Sequence, residues 1–234
     1  MAKIPESIEW SQTLTPIKSQ ILLTDQVYES LTHAILTRQI KPGTHLVEQP
    51  LADQLSVSRI SIREAIRRLA QDGLVEIIPS KGSYVVNLTA EDVKEIYQLR
   101  SALESIALKE LMAQPTNGKL NKLEEIITQM IALEKKEDRL RGAALDNQFH
   151  RILMNLSGLT RTIKIWEQMS TQITMVIYTV SNYYPSYEGL SERHAKLLYL
   201  IRSGNIDIAD EYLKEHIQQG AEKLLAAMQE SEND

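Results

Sequence analysis

The chain has 234 residues, a formal net charge of −5 and no cysteine. The lack of thiols excludes disulfide bonds, thiolate metal ligands and a cysteine nucleophile, and it fits a reducing cytoplasm. Hydrophobic residues make up 43% of the chain and charged residues 24%, the balance of a soluble globular protein. No apolar run approaches the roughly 18 residues that span a bilayer, and the first twenty residues do not resemble a signal peptide. We therefore expect a cytoplasmic protein with no membrane partner.

The N-terminal third of the chain predicts three helices followed by a β-hairpin. Residues 1–23 are expected to form an arm with scattered apolar side chains, and the first helix is expected from about Thr24, a residue type favoured at N-caps. Two shorter helices are predicted at 47–55 and 58–71, the second closed by Gly73 in a left-handed conformation. Apolar runs at 74–78 and 83–87 flank a turn at 79–82, which predicts the hairpin.

Helical periodicity continues from residue 88 to the C-terminus. Thr89 begins the first helix of this part, breaks are expected at 114–118, 157–160, 182–189 and 203–205, and roughly six helices are expected in all. The expected fold is mainly α, with a winged helix-turn-helix of three helices and a hairpin wing, followed by an all-α helical bundle. The expected boundaries are 1–23 for the arm, 24–87 for the winged helix-turn-helix domain and 88–230 for the bundle domain.

The negative charge of the whole chain hides a basic cluster in the winged helix-turn-helix. Residues 24–88 contain seven basic and seven acidic side chains, so the net charge of −5 comes entirely from the rest of the chain. Four of the seven basic residues lie between Arg59 and Arg68, on the second helix of the helix-turn-helix. Taken alone, such a cluster is more often a solvated helix face. The order of helix, helix-turn-helix and basic-tipped hairpin instead favours DNA binding.

The start of that second helix carries the side chains expected to contact DNA. A recognition helix aims its N-terminal residues at base edges in the major groove. Arg59 can offer a bidentate fork to a guanine, while the serines and the next arginine of the first turns suit phosphates or bases. At the hairpin tip, Lys81 beside a flexible glycine is expected to reach the DNA backbone or the minor groove. The predicted DNA-contacting set is Ser58, Arg59, Ser61, Arg63, Lys81 and Gly82.

Three of the five histidines lie on apolar helix faces in the bundle. Asp146 and His150 are four residues apart, so both project from one side of their helix, and His194 and His216 each share a face with leucines. A single histidine of this kind is more often a buried residue with a hydrogen-bond partner. Three of them with a nearby carboxylate favour a metal site, and this ligand set suits Zn²⁺ or Ni²⁺ better than Mn²⁺.

Four segments of the N-terminal domain resemble a known protein family: Leu51–Arg59, Ile62–Leu69, Asp72-Gly-Leu-Val and Lys81-Gly82. Together they resemble the GntR superfamily of transcription regulators, and the all-α remainder looks like the FadR-type effector domain of that superfamily, the FCD domain. The resemblance implies a homodimer that binds palindromic operator DNA through the contacts already predicted. It also implies a small organic acid as the effector.

The resemblance further implies which residues of the bundle bind the effector. The segment Glu95–Glu104 resembles the one whose arginine anchors an acidic ligand, so Arg100 is expected to hold a carboxylate. An intrahelical ion pair between Arg100 and Glu104 is compatible with that role. Metal-binding members carry an Asp-x-x-x-His pair and two later histidines, which match Asp146, His150, His194 and His216.

These features predict a transcription regulator, expected to act as a repressor, and not an enzyme. Its operator affinity would depend on a carboxylate bound at the metal-containing pocket, with residues 89–100 linking the hairpin to that pocket. In one alternative the metal ion itself is the signal, so that the ion alone changes operator affinity. In another alternative the protein is a metal-dependent hydrolase. A hydrolase also needs a general base and a group that stabilises developing charge, and no spacing in the sequence indicates which residues would serve.

Overall fold

The computed structural model describes residues 20–114, 118–134, 139–179 and 189–232. These residues form nine helices and one small three-stranded sheet, which confirms the predicted mainly α fold class. None of these helices is both long and apolar enough to cross a membrane. In chain order the elements are α1 (Gln20–Leu36), β1 (His45–Leu46), α2 (Glu48–Leu55), α3 (Arg59–Gln71), β2 (Val75–Ile78), β3 (Gly82–Val85), α4 (Ala90–Met112), α5 (Asn121–Glu134), α6 (Arg139–Leu156), α7 (Thr160–Thr179), α8 (Leu190–Ser203) and α9 (Ile206–Glu232).

Helices α1 to α3 and the sheet form the winged helix-turn-helix. The strands are antiparallel in the order β1-β3-β2, with Val75 opposite Val85 in the hairpin. Strand β1 joins the sheet through His45 opposite Tyr84. The sequence did not predict β1, because a strand of two residues is too short to show an alternating pattern.

Capping residues fix where the key helices begin and end. Ser58 is the N-cap of α3, and its side chain accepts a hydrogen bond from the backbone N–H of Ser61. Gly73 follows α3 with a φ of 73°, a left-handed conformation that glycine adopts without strain. Helix α4 begins with a capping box, in which the side chains of Thr89 and Asp92 each accept a hydrogen bond from the other residue's backbone N–H. These positions agree with the predicted helix limits.

One predicted limit differs from the structure, and other predicted features lie outside the described residues. Helix α1 begins at Gln20, four residues before the expected start at Thr24. Threonine is favoured at N-caps but is also tolerated inside a helix, so one threonine does not fix a helix start. The chain between α5 and α6 passes through residues 135–138, which lie outside the described residues, and no break was predicted there. Most of the predicted arm and of the break at 182–189 also lie outside them.

Buried side chains form two hydrophobic cores. The core of the winged helix-turn-helix includes Val27, Leu31 and Ile35, which are spaced four residues apart on one face of α1. The larger core lies among helices α4 to α9, where Phe149 and Trp166 are fully buried. The domain boundary expected at residues 87 and 88 stays a prediction.

Helix α7 belongs to the bundle but also contacts the winged helix-turn-helix. Met175 is 2% exposed and packs within the core of the winged helix-turn-helix. Three residues earlier, Gln172 Nε2 donates a hydrogen bond of 3.2 Å to the backbone oxygen of Gly73, in the turn after α3. The neighbouring residues Ile173 and Thr174 line a cavity inside the bundle. Helix α7 therefore connects that cavity with the winged helix-turn-helix.

Candidate functional site

Four candidate ligands that are far apart in the sequence meet inside the bundle. Asp146 and His150 lie on α6, His194 lies on α8 and His216 lies on α9. One potential ligand atom from each residue lies within 4.8 Å of those of the other three. The three histidines are buried, and Asp146 is partly exposed. The structure thus brings together all four residues that were predicted to bind a metal ion.

The shortest distances in this cluster fit ligands of one shared ion. The Nε2 atoms of His150 and His216 are 3.2 Å apart, and His194 Nε2 lies 3.3 Å from Asp146 Oδ1. Two ligand atoms about 2.1 Å from an ion are about 3.0 Å apart at a right angle and about 3.4 Å apart at the tetrahedral angle. His194 Nε2 is buried and makes no hydrogen bond among the described residues. A buried polar atom is costly without a partner, so these residues fit a divalent ion.

Outer partners determine which ring nitrogen faces the cluster. His150 Nδ1 lies 2.6 Å from Glu104 Oε2, and His194 Nδ1 lies 2.8 Å from the backbone oxygen of Leu190. Both acceptors favour a proton on Nδ1, which leaves the lone pair of each Nε2 directed toward the cluster. A carboxylate behind a histidine in this way orients the ring and raises its basicity as a metal ligand.

Glu104 is a fully buried carboxylate that its neighbours keep ionised. Burial alone raises its pKa, but the charges of His150 and Arg100 and the hydrogen bonds from His150 and Trp166 outweigh burial and hold the pKa of Glu104 at about 2. Trp166 Nε1 donates to it at 2.6 Å, and Arg100 Nε and Nη2 each donate at 3.2 Å. Burial lowers the pKa of His150, but the charge of Glu104 outweighs it and raises that pKa above its ordinary value.

The other charges in the cluster also suit metal binding. Burial, followed by repulsion from His194 and His150, lowers the pKa of His216 well below its ordinary value, so this ring is neutral at pH 7. Burial opposes ionisation of Asp146, but the close approach of His194 and the charge of His150 outweigh it and hold the pKa of Asp146 below its usual range. A neutral imidazole and an ionised carboxylate are the states in which these side chains bind divalent ions.

A cavity of about 50 Å³ lies beside the cluster, large enough for roughly four water molecules. Its wall includes Asp146, His150 and His216 from the cluster and Arg100 from α4. The space therefore suits an ion together with a small ligand. Further charged and polar residues of the wall are Asn147, Thr174, Arg193, Gln219 and Lys223.

Arg100 is held firmly at this wall. It is 4% exposed, and its guanidinium lies between its hydrogen bonds to Glu104 and the rings of Tyr97 and Trp166, whose centres are 5.2 and 5.7 Å away. The ion pair with Glu104 and a place at the cavity wall therefore occur together. The contact between Arg100 and a carboxylate effector stays a prediction.

Two features of this site were not predicted from the sequence. The first is that Glu104 supports His150 in addition to Arg100. A signal existed, because Glu104 shares a face of α4 with the buried Leu108 and Leu111, and a carboxylate on an apolar face needs a buried partner. The second is the presence of two further cations, Arg193 and Lys223, at the cavity wall, which no pattern in the sequence indicates.

The arginines predicted to contact DNA lie exposed on α3. Arg63 donates two hydrogen bonds, of 2.8 and 2.7 Å, to the carboxylate of Glu48 at the start of α2, and Arg59 Nη2 lies 3.6 Å from the same carboxylate. The hydrogen bonds from Arg63 are the main cause of a lowered pKa of Glu48. Glu48 therefore holds both arginines together on the surface that is expected to meet DNA.

The two serines predicted to contact DNA form the cap of α3. Their hydroxyl oxygens are 2.9 Å apart, and Ser58 is exposed. Ser61 is 1% exposed, so it offers almost no surface to DNA. The Ser61 hydroxyl helps to order the start of the recognition helix, and the DNA contact predicted for Ser61 stays a prediction.

The hairpin tip places Lys81 at the surface. The adjacent Gly82 has a φ of 119°, and any side chain there would collide with the ring of His45. His45 in turn stacks on Tyr84, with 4.6 Å between the ring centres. Gly82 is thus required by the packing of the wing, and the DNA contacts predicted for Lys81 and Gly82 stay predictions.

Comparisons with known proteins cover both parts of the chain. The family model for bacterial regulatory proteins of the gntR family matches residues 23–85, and the model for the FCD domain matches residues 95–219. The chain is 26% identical over 211 residues to the HTH-type transcriptional repressor RspR of Escherichia coli K12, over 89% of this chain and 92% of that protein. It is 25% identical over 214 residues to the gluconate operon transcriptional repressor of Bacillus licheniformis, over 86% and 88% respectively.

A solved structure shows the same fold. The GntR transcriptional regulator from Rhodococcus sp. RHA1 superposes with a TM-score of 0.71, over 86% of this chain and 97% of that one, at 24% identity. The matched families and relatives are transcription regulators and not enzymes. Because the FCD model matches more than half of the chain and the gntR model matches the region before it, the chain belongs to the gntR family of bacterial regulatory proteins and is a DNA-binding transcriptional regulator with an FCD domain.

Proposed function

We propose that this regulator is a repressor whose affinity for operator DNA is controlled by a small carboxylate bound beside a divalent metal ion. The observation that carries the proposal is the convergence of one carboxylate and three histidines at the wall of a cavity that Arg100 also lines. The names of related proteins, which describe repressors, support the sign of regulation.

The four clustered side chains would hold the metal ion. Three imidazoles and one carboxylate match Zn²⁺ or Ni²⁺, whereas Mn²⁺ prefers more oxygen ligands. An ion bound there would offer its open coordination positions to an oxygen of the effector. The ligands are Asp146, His150, His194 and His216.

Arg100 would bind a carboxylate of the effector from the α4 side of the cavity. A guanidinium presents its N–H groups in a planar fork that matches a carboxylate. Since Glu104 and the ring of Tyr97 already hold Arg100 in place, little side-chain freedom is lost when the effector binds. Asn147 and Gln219, which also line the cavity, offer amide groups to its remaining oxygens.

Two helices connect the cavity with the winged helix-turn-helix. Helix α4 begins just after the wing and carries Arg100 to the cavity wall, which is the route expected from the sequence. Helix α7 is a second route, because Thr174 lines the cavity and accepts a hydrogen bond of 2.8 Å from Asn147, while the adjacent Met175 packs within the core of the winged helix-turn-helix, where α7 contacts α1. A ligand that shifts either helix changes the pose of α3, and such coupling typically amounts to about 1–3 kcal/mol.

We infer that the regulator acts as a homodimer on a palindromic operator. Two winged helix-turn-helix domains read half-sites about 34–36 Å apart, so their relative pose sets the affinity. On α4, Leu99 and Ile106 are 49% and 52% exposed, and the partly buried Leu103 lies between them on the same side of the helix. An exposed apolar stripe of this kind suits an interface, and a second copy of the chain would pair the two α4 helices.

On DNA, we expect Arg59 to read a base edge and Arg63 and Ser58 to contact phosphates. Both arginines are exposed and held in place by Glu48, and Ser58 lies at the N-terminus of α3, where backbone N–H groups also favour phosphate. Lys81 would add a backbone or minor-groove contact from the wing.

The proposal is tested with the full chain, either loaded with Zn²⁺ or stripped with a chelator. A thermal-shift screen of hydroxy acids, sugar acids and short acyl acids selects the effector, and fluorescence anisotropy then measures the Kd for an operator selected from random-sequence DNA. We expect the selected acid to change that Kd at least tenfold in the Zn²⁺-loaded chain and to have no effect on the stripped chain. His194→Ala should abolish this response, whereas the matched substitution of the exposed His33, His33→Ala, should retain it.

Arg100→Lys tests the anchoring residue without removing the charge beside Glu104. Lysine lacks the planar fork, so we expect the acid to bind at least tenfold more weakly while the affinity for the operator without acid is unchanged. Unchanged acid binding in this variant would exclude Arg100 as the anchor. A change of operator affinity on addition of Zn²⁺ alone, with no effect of any acid, would favour the metal-sensor alternative.

A further inference from the structure

Ile60 is an apolar residue at the start of the recognition helix α3 that lies outside the hydrophobic core. Its side chain is 61% exposed, the largest exposed fraction of any large apolar side chain among the described residues of the winged helix-turn-helix. Leu69, nine positions later on α3, is fully buried in the core of that domain. Nine positions at about 100° each lead to the opposite side of a helix, so Ile60 points directly away from the core.

The surface around Ile60 is otherwise charged. Arg59 precedes Ile60 in the chain, and Arg63 lies almost one turn after it. The carboxylate of Glu48 holds both arginines. Ile60 therefore lies between the two side chains that are expected to contact a base and a phosphate. Apart from Ile60, all the exposed side chains between residues 59 and 68 are charged: Arg59, Arg63, Glu64, Arg67 and Arg68.

The position of Ile60 indicates what its side chain contacts on DNA. Single exposed isoleucines are common on protein surfaces, so exposure alone indicates no contact. A recognition helix, however, turns the outward side of its first residues toward base edges in the major groove. Most groups that the bases present there form hydrogen bonds, and the apolar one is the C5-methyl group of thymine. The Ile60 side chain has no hydrogen-bonding group, so this methyl is the feature of a base edge that it matches.

We propose that Ile60 determines operator specificity by packing against the C5-methyl group of a thymine in each half-site. The inference rests on the proposed use of α3 to read bases, and it adds an apolar contact to the hydrogen bonds expected from Arg59. Consecutive Cα atoms are about 3.8 Å apart, and consecutive bases of a strand are about 3.4 Å apart along the DNA axis. The thymine therefore lies within about two base pairs of the base that Arg59 contacts.

The test compares operators that differ only in methyl groups. Selection from random-sequence DNA with the full chain gives the half-site sequence, and each thymine is then replaced in turn by uracil, in both half-sites together. Uracil keeps the base pairing and the O4 acceptor of thymine and lacks only the methyl. Burial of one methyl group changes binding about fourfold, so we expect uracil at one position to raise the operator Kd about tenfold in fluorescence anisotropy. This comparison needs no variant, so it does not depend on the folding of a mutant.

The variant Ile60→Ala then assigns the methyl contact to this residue. Once the isoleucine side chain is removed, replacing the same thymine with uracil should raise the operator Kd less than about threefold, because the two changes remove the same contact. The matched control is Ile131→Ala, which truncates an isoleucine that is 50% exposed on α5 and should keep the full uracil effect. A tenfold uracil effect that persists in Ile60→Ala would assign the methyl to another residue and overturn the proposal.

The failure of this inference is distinguishable from the failure of the proposed function. If uracil has no effect at any position while Arg59→Ala still loses operator binding, the contact by Ile60 is overturned and base reading by α3 remains. If uracil has no effect and Arg59→Ala binds the operator as tightly as the native chain does, base reading by the start of α3 is overturned as well.

Discussion

Replacing Glu104 with glutamine tests whether this buried carboxylate supports the metal cluster. The substitution keeps the shape of the side chain and removes its charge. In the native chain the carboxylate accepts hydrogen bonds from His150 and Trp166 at 2.6 Å and from Arg100 at 3.2 Å. The amide nitrogen of glutamine only donates, so at least one of these three donors loses its acceptor.

The size of the effect follows from the pKa of Glu104, which lies at about 2 instead of 4.5. This lowering corresponds to about 3 kcal/mol in favour of the ionised side chain in the folded protein, at about 1.4 kcal/mol per pKa unit. Because the pKa of Glu104 is lower in the folded chain, the stabilisation is fully present above pH 4.5 and is lost as the pH falls toward 2. Glutamine also leaves Arg100 buried without its counter-ion, a change that typically costs about 3–5 kcal/mol.

Two assays check this prediction. Urea denaturation of the chelator-treated chain at pH 7, followed by circular dichroism, should show that Glu104→Gln lowers the free energy of unfolding by about 3 kcal/mol. The difference from the native chain should shrink as the pH falls below 4.5. Competition with a chromophoric chelator should show Zn²⁺ binding weakened about 10–100-fold, since His150 loses the carboxylate that orients it.

Glu95→Gln is the matched control, because Glu95 lies exposed on the same helix. It should change the free energy of unfolding by no more than about 0.5 kcal/mol and leave Zn²⁺ affinity intact. Native stability and native Zn²⁺ affinity in Glu104→Gln would refute the reasoning, because the carboxylate would then support neither the fold nor the cluster.

Three further predictions concern the DNA surface and the coupling between the two parts of the chain. Arg59→Ala should weaken operator binding at least tenfold in anisotropy while the Zn²⁺ content stays unchanged, and native operator affinity would remove Arg59 from the DNA contacts. Glu48→Gln removes a negative charge beside the two arginines and should strengthen binding to nonspecific DNA roughly fivefold at about 0.15 M salt. This factor is the gain expected from one added phosphate contact. Equal binding by the variant and the native chain would show that Glu48 does not restrain the two arginines. Gln172→Ala should leave the Kd for the acid and for the operator within about threefold of the native values but reduce the effect of the acid on the operator Kd. If the acid changes the operator Kd of Gln172→Ala as much as that of the native chain, α4 and not α7 carries the signal from the cavity to the winged helix-turn-helix.

Local sequence signals explain why much of the fold could be predicted. The cap at Ser58, the left-handed Gly73 and the capping box at Thr89 each depend on residues within one turn of chain. The periodic spacing in α1 likewise identifies its buried face. Strand β1 was missed because its two residues form a strand only through their pairing with β3, which local patterns do not encode.

Part of the candidate site could likewise be predicted from local sequence patterns, and part depends on contacts between residues far apart in the chain. The spacing of Asp146 and His150 places both on one face of α6, but only the packing of three helices brings His194 and His216 to them. The apolar faces that carry the three histidines indicated this set from the sequence, and the family resemblance matched the same four residues. The support of His150 by Glu104 and the presence of Arg193 and Lys223 at the cavity wall depend on which helices pack together, and helical periodicity does not specify helix neighbours.

The position of Met175 limits how this chain can be divided or recombined. Its side chain completes the core of the winged helix-turn-helix from a helix that lies far along the chain. A fragment that stops at residue 87 would expose the apolar surface that Met175 covers, and removing a buried methionine side chain typically costs about 2–5 kcal/mol. A chimera that grafts these DNA-reading helices onto another bundle therefore needs a matching side chain on its own α7. The two halves are consequently expected to evolve as a matched set rather than as exchangeable modules.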